Sequence, residues 1–187
     1  MKIYLHEQEP FFAKHLKYLS QQPVTKYDKS LLKEKVNTIS INKPHLSTLN
    51  IDCLFNYQIF PPHIMAYKTE WQNEQRDMRV GDSIVQQVYI PPIKSISQKL
   101  IFGVRIKEII NTDTIKGFSY ETLEGHVEKG LSIFTLEQWN DNIIFKIHTY
   151  SGPGNIISKI VAPFFSIPYQ AYCTKAALKN IKAQIEL

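Results

Sequence analysis

The chain has 187 residues, 43% of them hydrophobic and 12% aromatic, with a formal net charge of +5. That length suits one domain burying about two-thirds or more of its unfolded surface, and the composition excludes wholesale disorder. The charge does not by itself indicate nucleic acid, and none is expected as a partner: the arginines are Arg76, Arg79 and Arg105, and the remaining basic side chains are lysines scattered along the chain.

The opening residues from Met1 to Glu7 break off before any apolar run of signal-peptide length. Pro10 suits a first helical turn, and Phe12, Leu16 and Leu19 recur at i, i+4 and i+7, which predicts a short amphipathic helix ending before Pro23. From Tyr27 to Asn50 the pattern is polar with isolated aliphatics; a short helix around Ser30 to Val36 is predicted, with Pro44 in a loop. Residues 1–54 thus read as an N-terminal helical extension and 55–187 as the core of a single domain. Consecutive prolines restrict the backbone, so Phe60-Pro61-Pro62 is expected to direct the exit from a strand into a loop.

From Ser83 onward the period changes to two. Ile84, Val88 and Ile90 share parity, as do Leu100, Phe102, Val104 and Ile106, while Arg105 and Lys107 take the other face. Further strands are predicted at Gly117 to Leu123, Leu131 to Glu137 and Ile143 to Tyr150. Asn140-Asp141-Asn142 forms a natural hairpin turn between the last two, because Asn and Asp tolerate left-handed geometry. Short sequential connections favour an antiparallel meander. Ser151-Gly152-Pro153-Gly154 reads as a turn, after which the period returns to helical.

The longest apolar stretch, Ile156 to Tyr172, is interrupted by Lys159, Pro163 and Pro168 and falls short of the roughly 20 apolar residues needed to span a bilayer, so no stable membrane insertion is expected. Beyond Pro168 the spacing of Ala171, Thr174, Leu178, Ile181 and Ile185 predicts a long helix from about Tyr169 to Gln184 with one buried stripe. The fold class is therefore α+β: a curved antiparallel sheet gripping a long C-terminal helix. Cys53 and Cys173 lie far apart with no Cys-x-x-Cys spacing, which points to a reducing compartment and a cytoplasmic protein.

The segments Tyr57-Gln58-Ile59-Phe60-Pro61-Pro62, Val80-Gly81-Asp82, the fourteen residues from Gly117 to Gly130, and Tyr150-Ser151-Gly152-Pro153 carry a family resemblance. Over roughly residues 55 to 183 the chain resembles the bacterial and plant family known as domain of unknown function nineteen-ninety. The resemblance implies no activity. It implies a fold similar to the helix-grip architecture of START lipid-transfer domains and birch-pollen-allergen-like proteins, with a cavity between sheet and helix suited to a small hydrophobic or amphipathic molecule. Glu121 stands where the resemblance leads one to expect glycine.

The candidate site lies in Tyr120-Glu121-Thr122-Leu123-Glu124-Gly125-His126-Val127-Glu128. If extended, Tyr120, Thr122, Glu124, His126 and Glu128 share one face, although Gly125 can bend the strand and split the row. Facing a cavity, such a row would hold the polar end of a ligand, with His148 on a neighbouring strand. It could instead do acid-base work through Tyr120, His126 and Glu128, or be a turn signature in an interaction module with a filled core. His126-Val127-Glu128 matches half of a zinc deaminase motif, but Pro-Cys-x-x-Cys is missing. Neither a metal nor a cofactor is expected. Cys173 has no nucleophile partner in view and is expected as a small buried residue.

Overall fold

The computed structural model describes residues 2–91, 97–154 and 167–187. Its framework is an antiparallel sheet with the spatial order β2 (Lys33–Ile41), β8 (Asn142–Pro153), β7 (Glu128–Trp139), β6 (Ile115–Thr122), β5 (Gln98–Asn111), β4 (Ser83–Ile90) and β3 (Met65–Thr69). An eighth strand, β1 (Lys2–Tyr4), pairs with β5 beyond the point where β6 leaves it. The segments predicted from the period-two pattern are strands, and each strand from β3 to β8 pairs with the next, as short connections require. The loop Asn140-Asp141 closes the hairpin of β7 and β8, with Asn140 at φ 51°. In β5 the register shifts between Ile106 and Glu108, the kind of irregularity that bends a strand.

The helix predicted around residues 30–36 is replaced by an edge strand. A single turn at Lys29–Leu31, capped by the Asp28 carboxylate accepting from Ser30 N, leads into β2, which runs along β8 from Lys33 opposite Ser151 to Ile41 opposite Ile143. The period of two was hidden because two of the positions turned toward the covered face, Lys35 and Asn37, are polar; the β-branched Val36, Thr38, Ile39 and Ile41 favour the extended chain. The stretch 1–54 is thus helical only at α1 (Phe12–Leu19) and in short turns, including α2 (Asp52–Phe55), and it supplies two strands to the sheet. Phe60-Pro61-Pro62 likewise enters a strand rather than leaving one: Pro61 O accepts from Ile64 N and Met65 N, and β3 follows, leading into the single turn α3 (Glu70–Asn73). Ser151-Gly152-Pro153 closes β8 instead of forming a turn, opposite Gly130, Lys129 and Glu128. The helical period expected after Gly154 falls on residues 155–166, outside the described residues.

Both faces of the sheet are covered, and β4 shows it residue by residue. Ile84, Val88 and Ile90 join the main core, whereas Val85 joins a second cluster on the opposite face with Phe12, Leu16 and Leu19 of α1 and with Ile101 and Leu123. The main core lies under the C-terminal helix α4 (Ile167–Glu186), which crosses β2 and β8 and touches α2. Of the predicted stripe, Leu178, Ile181 and Ile185 are buried together with Ala177, while Thr174 is half-buried and Ala171 exposed. Polar bonds fasten the same half of the helix: Asn180 Nδ2 donates to Gln58 O at 2.9 Å and Lys182 Nζ to Ser40 O at 2.6 Å. The apolar anchors of α4 therefore lie in its C-terminal half. Among the described residues no helix is long and apolar enough to cross a membrane.

Candidate ligand-binding site

Between the sheet and the first turns of α4 lies a partly open cavity of about 330 Å³. Ile64, Met65, Val88, Phe102 and Val127 make it apolar, and a polar side is formed by Lys35, Gln86, Tyr120, His126, Glu128 and Gln170. Three of the five predicted site residues thus reach one space. They do so although the strand breaks where Gly125 allowed it to: β6 ends at Thr122, Gly125 takes φ 85°, His126 N donates to Leu123 O at 3.1 Å, and β7 begins at Glu128. The bend sends Glu124 to the surface and swings His126 back over the ring of Phe102, with ring centroids 4.2 Å apart.

Tyr120 stands on β6 with its ring against Phe134 and its hydroxyl in a polar group formed with Ser132, Gln86 and Tyr57. Gln86 Nε2 donates to the Tyr57 hydroxyl at 2.5 Å. Burial pushes the pKa of both phenols up, so both remain protonated donors.

His126 Nδ1 accepts from Glu128 N at 3.0 Å. A ring nitrogen that accepts a backbone N–H carries no proton, so the neutral imidazole bears its hydrogen on Nε2. Burial pushes the pKa of this imidazole down to about 3. The Glu128 carboxyl is shifted upward by burial, opposed by the hydrogen bond that its Oε1 accepts from Gln170 Nε2 at 2.8 Å and by the charge of Lys35. Gln170 Oε1 in turn accepts from Lys35 Nζ at 2.9 Å, so a lysine, an amide and a carboxyl form a chain from β2 through α4 to β7.

The other two predicted residues do different work. Thr122 is buried and its Oγ1 accepts from Gly130 N at 3.1 Å, stapling the start of β7; it is not among the described residues lining the cavity. His148 lies on the opposite face of β8, where its Nε2 meets Glu34 Oε1 at 2.6 Å beside the Tyr150 ring. It is therefore not brought together with His126 and Glu128, and among the described residues no group of three metal-ligating side chains converges. Glu121 also points away from the cavity, its carboxylate taking hydrogen bonds from the Tyr27 hydroxyl and, at 2.7 Å, from Lys107 Nζ. Cys173, expected buried, is half-buried and lines the cavity; burial raises its thiol pKa and keeps it protonated. Tyr57, Gln86, Lys35 and Gln170 were missed. Tyr57 opens the first family-like segment, whereas Lys35 and Gln170 carried no signal of their own.

A curved antiparallel sheet, a C-terminal helix across it and a cavity between them define the helix-grip fold. The sequence profile described as "Domain of unknown function (DUF1990)" matches residues 51–180, and the chain belongs to that family. Solved structures share the fold at low identity. A hypothetical protein, jhp0584, from Helicobacter pylori is similar with a TM-score of 0.61 at 10% identity, covering 88% of this chain and 98% of its own. Ginseng major latex-like protein 151 from Panax ginseng has a TM-score of 0.58 at 13% identity, covering 83% of this chain and 98% of its own. A point mutant of norcoclaurine synthase from Thalictrum, in complex with a transition-state analogue, has a TM-score of 0.50 at 11% identity, covering 82% of this chain and 96% of its own. No curated protein sequence matches the chain.

Proposed function

We propose that this protein binds a small hydrophobic or amphipathic molecule in the cavity under the first turns of α4, as a cytoplasmic carrier or sensor rather than a catalyst. The observation that carries the proposal is the unfilled, mostly apolar space of about 330 Å³ between the sheet and α4, at the small end of the roughly 300–1,000 Å³ typical of ligand cavities. Closely packed interiors leave few voids larger than a water molecule. An interaction module with a filled core fits this space poorly. The acid-base alternative through Tyr120, His126 and Glu128 is weakened by His126: an imidazole with a pKa near 3 is a poor base at neutral pH. Two unpaired cysteines support the compartment, and two of the three arginines are engaged within the chain, Arg76 on Asp82 and Arg105 on Ser20 O, which supports leaving nucleic acid out.

The test fills the space from its floor. Val88, buried on β4, lines the cavity, and Val88→Trp places an indole in it. An apolar dye that brightens on entering the wild-type protein should lose at least tenfold in affinity for a Val88→Trp variant that keeps the wild-type circular dichroism. Equal dye affinity in the two proteins would sink the proposal.

A further inference from the structure

Resting on that reading, we propose that the cavity selects neutral amphipathic molecules whose polar group is a hydrogen-bond acceptor, a carbonyl oxygen above all, seated on the Nε2–H of His126. The backbone of His126 is fixed by the turn and its ring by two contacts. Its own backbone N donates to Leu123 O, its Nδ1 accepts from Glu128 N at 3.0 Å, and its ring meets that of Phe102 tilted at 59° with centroids 4.2 Å apart. The hydrogen bond at Nδ1 assigns the tautomer, and the packing fixes the direction of the other nitrogen. A donor immobilised before the ligand arrives loses no rotamer freedom on binding, which is where such a site gains both affinity and orientation.

The groups around it offer an anion little that is not already engaged. The titratable groups of the described cavity lining are Lys35 on β2, Tyr120 on β6, His126 in the turn, Glu128 on β7, and Tyr169 and Cys173 on α4. His126 stays uncharged at neutral pH because burial holds its pKa near 3. Lys35 is the one ammonium in this set, and it is committed to Gln170 Oε1 at 2.9 Å on the way to Glu128. The Glu128 carboxyl offers no positive charge in either protonation state. Tyr169 directs its hydroxyl to Tyr89 O at 2.6 Å. A ligand carboxylate entering here would be stripped of water against apolar walls and would have to draw Lys35 from Gln170 to meet a cation, whereas a ketone, aldehyde or ester needs one donor and finds it.

The experiment compares three probes of matched chain length, decane, methyl octyl ketone and decanoate, as displacers of the apolar dye at pH 7. The ketone should bind at least tenfold more tightly than decane, and decanoate more weakly than the ketone. His126→Asn is the informative variant: its Oδ1 takes the place of Nδ1 toward Glu128 N while the donor at the Nε2 position disappears. In that variant the ketone should lose about tenfold and decane nothing; His126→Phe, which keeps the ring on Phe102, should do the same. Two results overturn the inference while leaving the ligand-binding reading intact: decane and ketone binding equally in the wild type, or decanoate binding tightest with its advantage abolished by Lys35→Met. If no probe displaces the dye, both readings fall.

Discussion

At the scale of single residues, His126 carries a stability cost that depends on acidity. In the unfolded chain its imidazole takes a proton near the ordinary pKa of about 6.5, whereas in the folded protein burial holds it near 3. Below pH 6.5 the unfolded state therefore binds a proton that the folded state refuses. Stability from this residue is fully present above that value and falls as pH drops toward the folded pKa. Between pH 7 and pH 5 the difference amounts to about 2 kcal/mol. In urea denaturation, His126→Asn should be destabilised relative to wild type at pH 7 and recover by about that amount at pH 5. An equal gap at both values would mean that the ring is not buried in its neutral form.

The residue scale also separates what the pattern revealed from what it concealed. The parity of Tyr120, His126 and Glu128 was legible, with the break at Gly125, because a glycine inside a polar row is where a strand turns. His148 was assigned to the cavity against a signal that was present: on β8 it shares parity with Ile144 and Lys146, not with Ile143, Phe145 and Ile147, which are buried in the core. The polar partners Lys35 and Gln170 were illegible. A lone lysine and a lone glutamine look like surface residues until a tertiary contact brings Glu128 between them.

At the scale of elements, α4 divides its work along its length. Leu178, Ile181 and Ile185 are buried against sheet and loop, whereas the turns holding Gln170, Cys173 and Thr174 roof the cavity. Leu178→Ala should cost about 2–5 kcal/mol, since it deletes methyl groups from a packed region that collapses only partly. Thr174→Ala, beside empty space, should cost less than about 1 kcal/mol. Chemical denaturation of the two variants checks this, and similar losses for both would contradict the division. The helix was readable because its stripe repeats over several turns. Strand β2 was not, because an edge strand whose inward positions include Lys35 and Asn37 has no hydrophobic period to read; what determines its conformation is the row of hydrogen bonds to β8, far away in sequence.

At the scale of the whole molecule, the sheet takes in strands from the N-terminal side of the family-matched region. The profile covers residues 51–180, yet β2 pairs along the length of β8, and α1 covers Val85, Ile101 and Leu123 on the far face. The first fifty residues, read as an extension, are by this geometry part of what keeps the core closed. We expect a chain starting at residue 51 to expose the edge of β8 and the apolar patch beneath α1, and so to associate or precipitate where the full chain stays monodisperse in sedimentation. A well-behaved, cooperatively folding fragment would show that the core stands alone. The antiparallel order and the grip were legible from periods and turn residues, whereas the two-sided covering was not, because strands buried on both faces blur the alternation that reveals a face.

The uneven anchoring of α4 also bears on how anything could get in. The first turns of α4 hold by the polar bonds of Tyr169 and Gln170 above unfilled space, whereas Leu178, Ile181 and Ile185 pack the far end into the core, so the helix opens most readily at its first turns. Amide hydrogens of residues 170–174 should then exchange with deuterium well before those of 178–185. That opening is a local fraying of two helical turns, independent of the free energy of global unfolding, and a bound molecule should slow exchange in those two turns while leaving the far end of the helix unchanged.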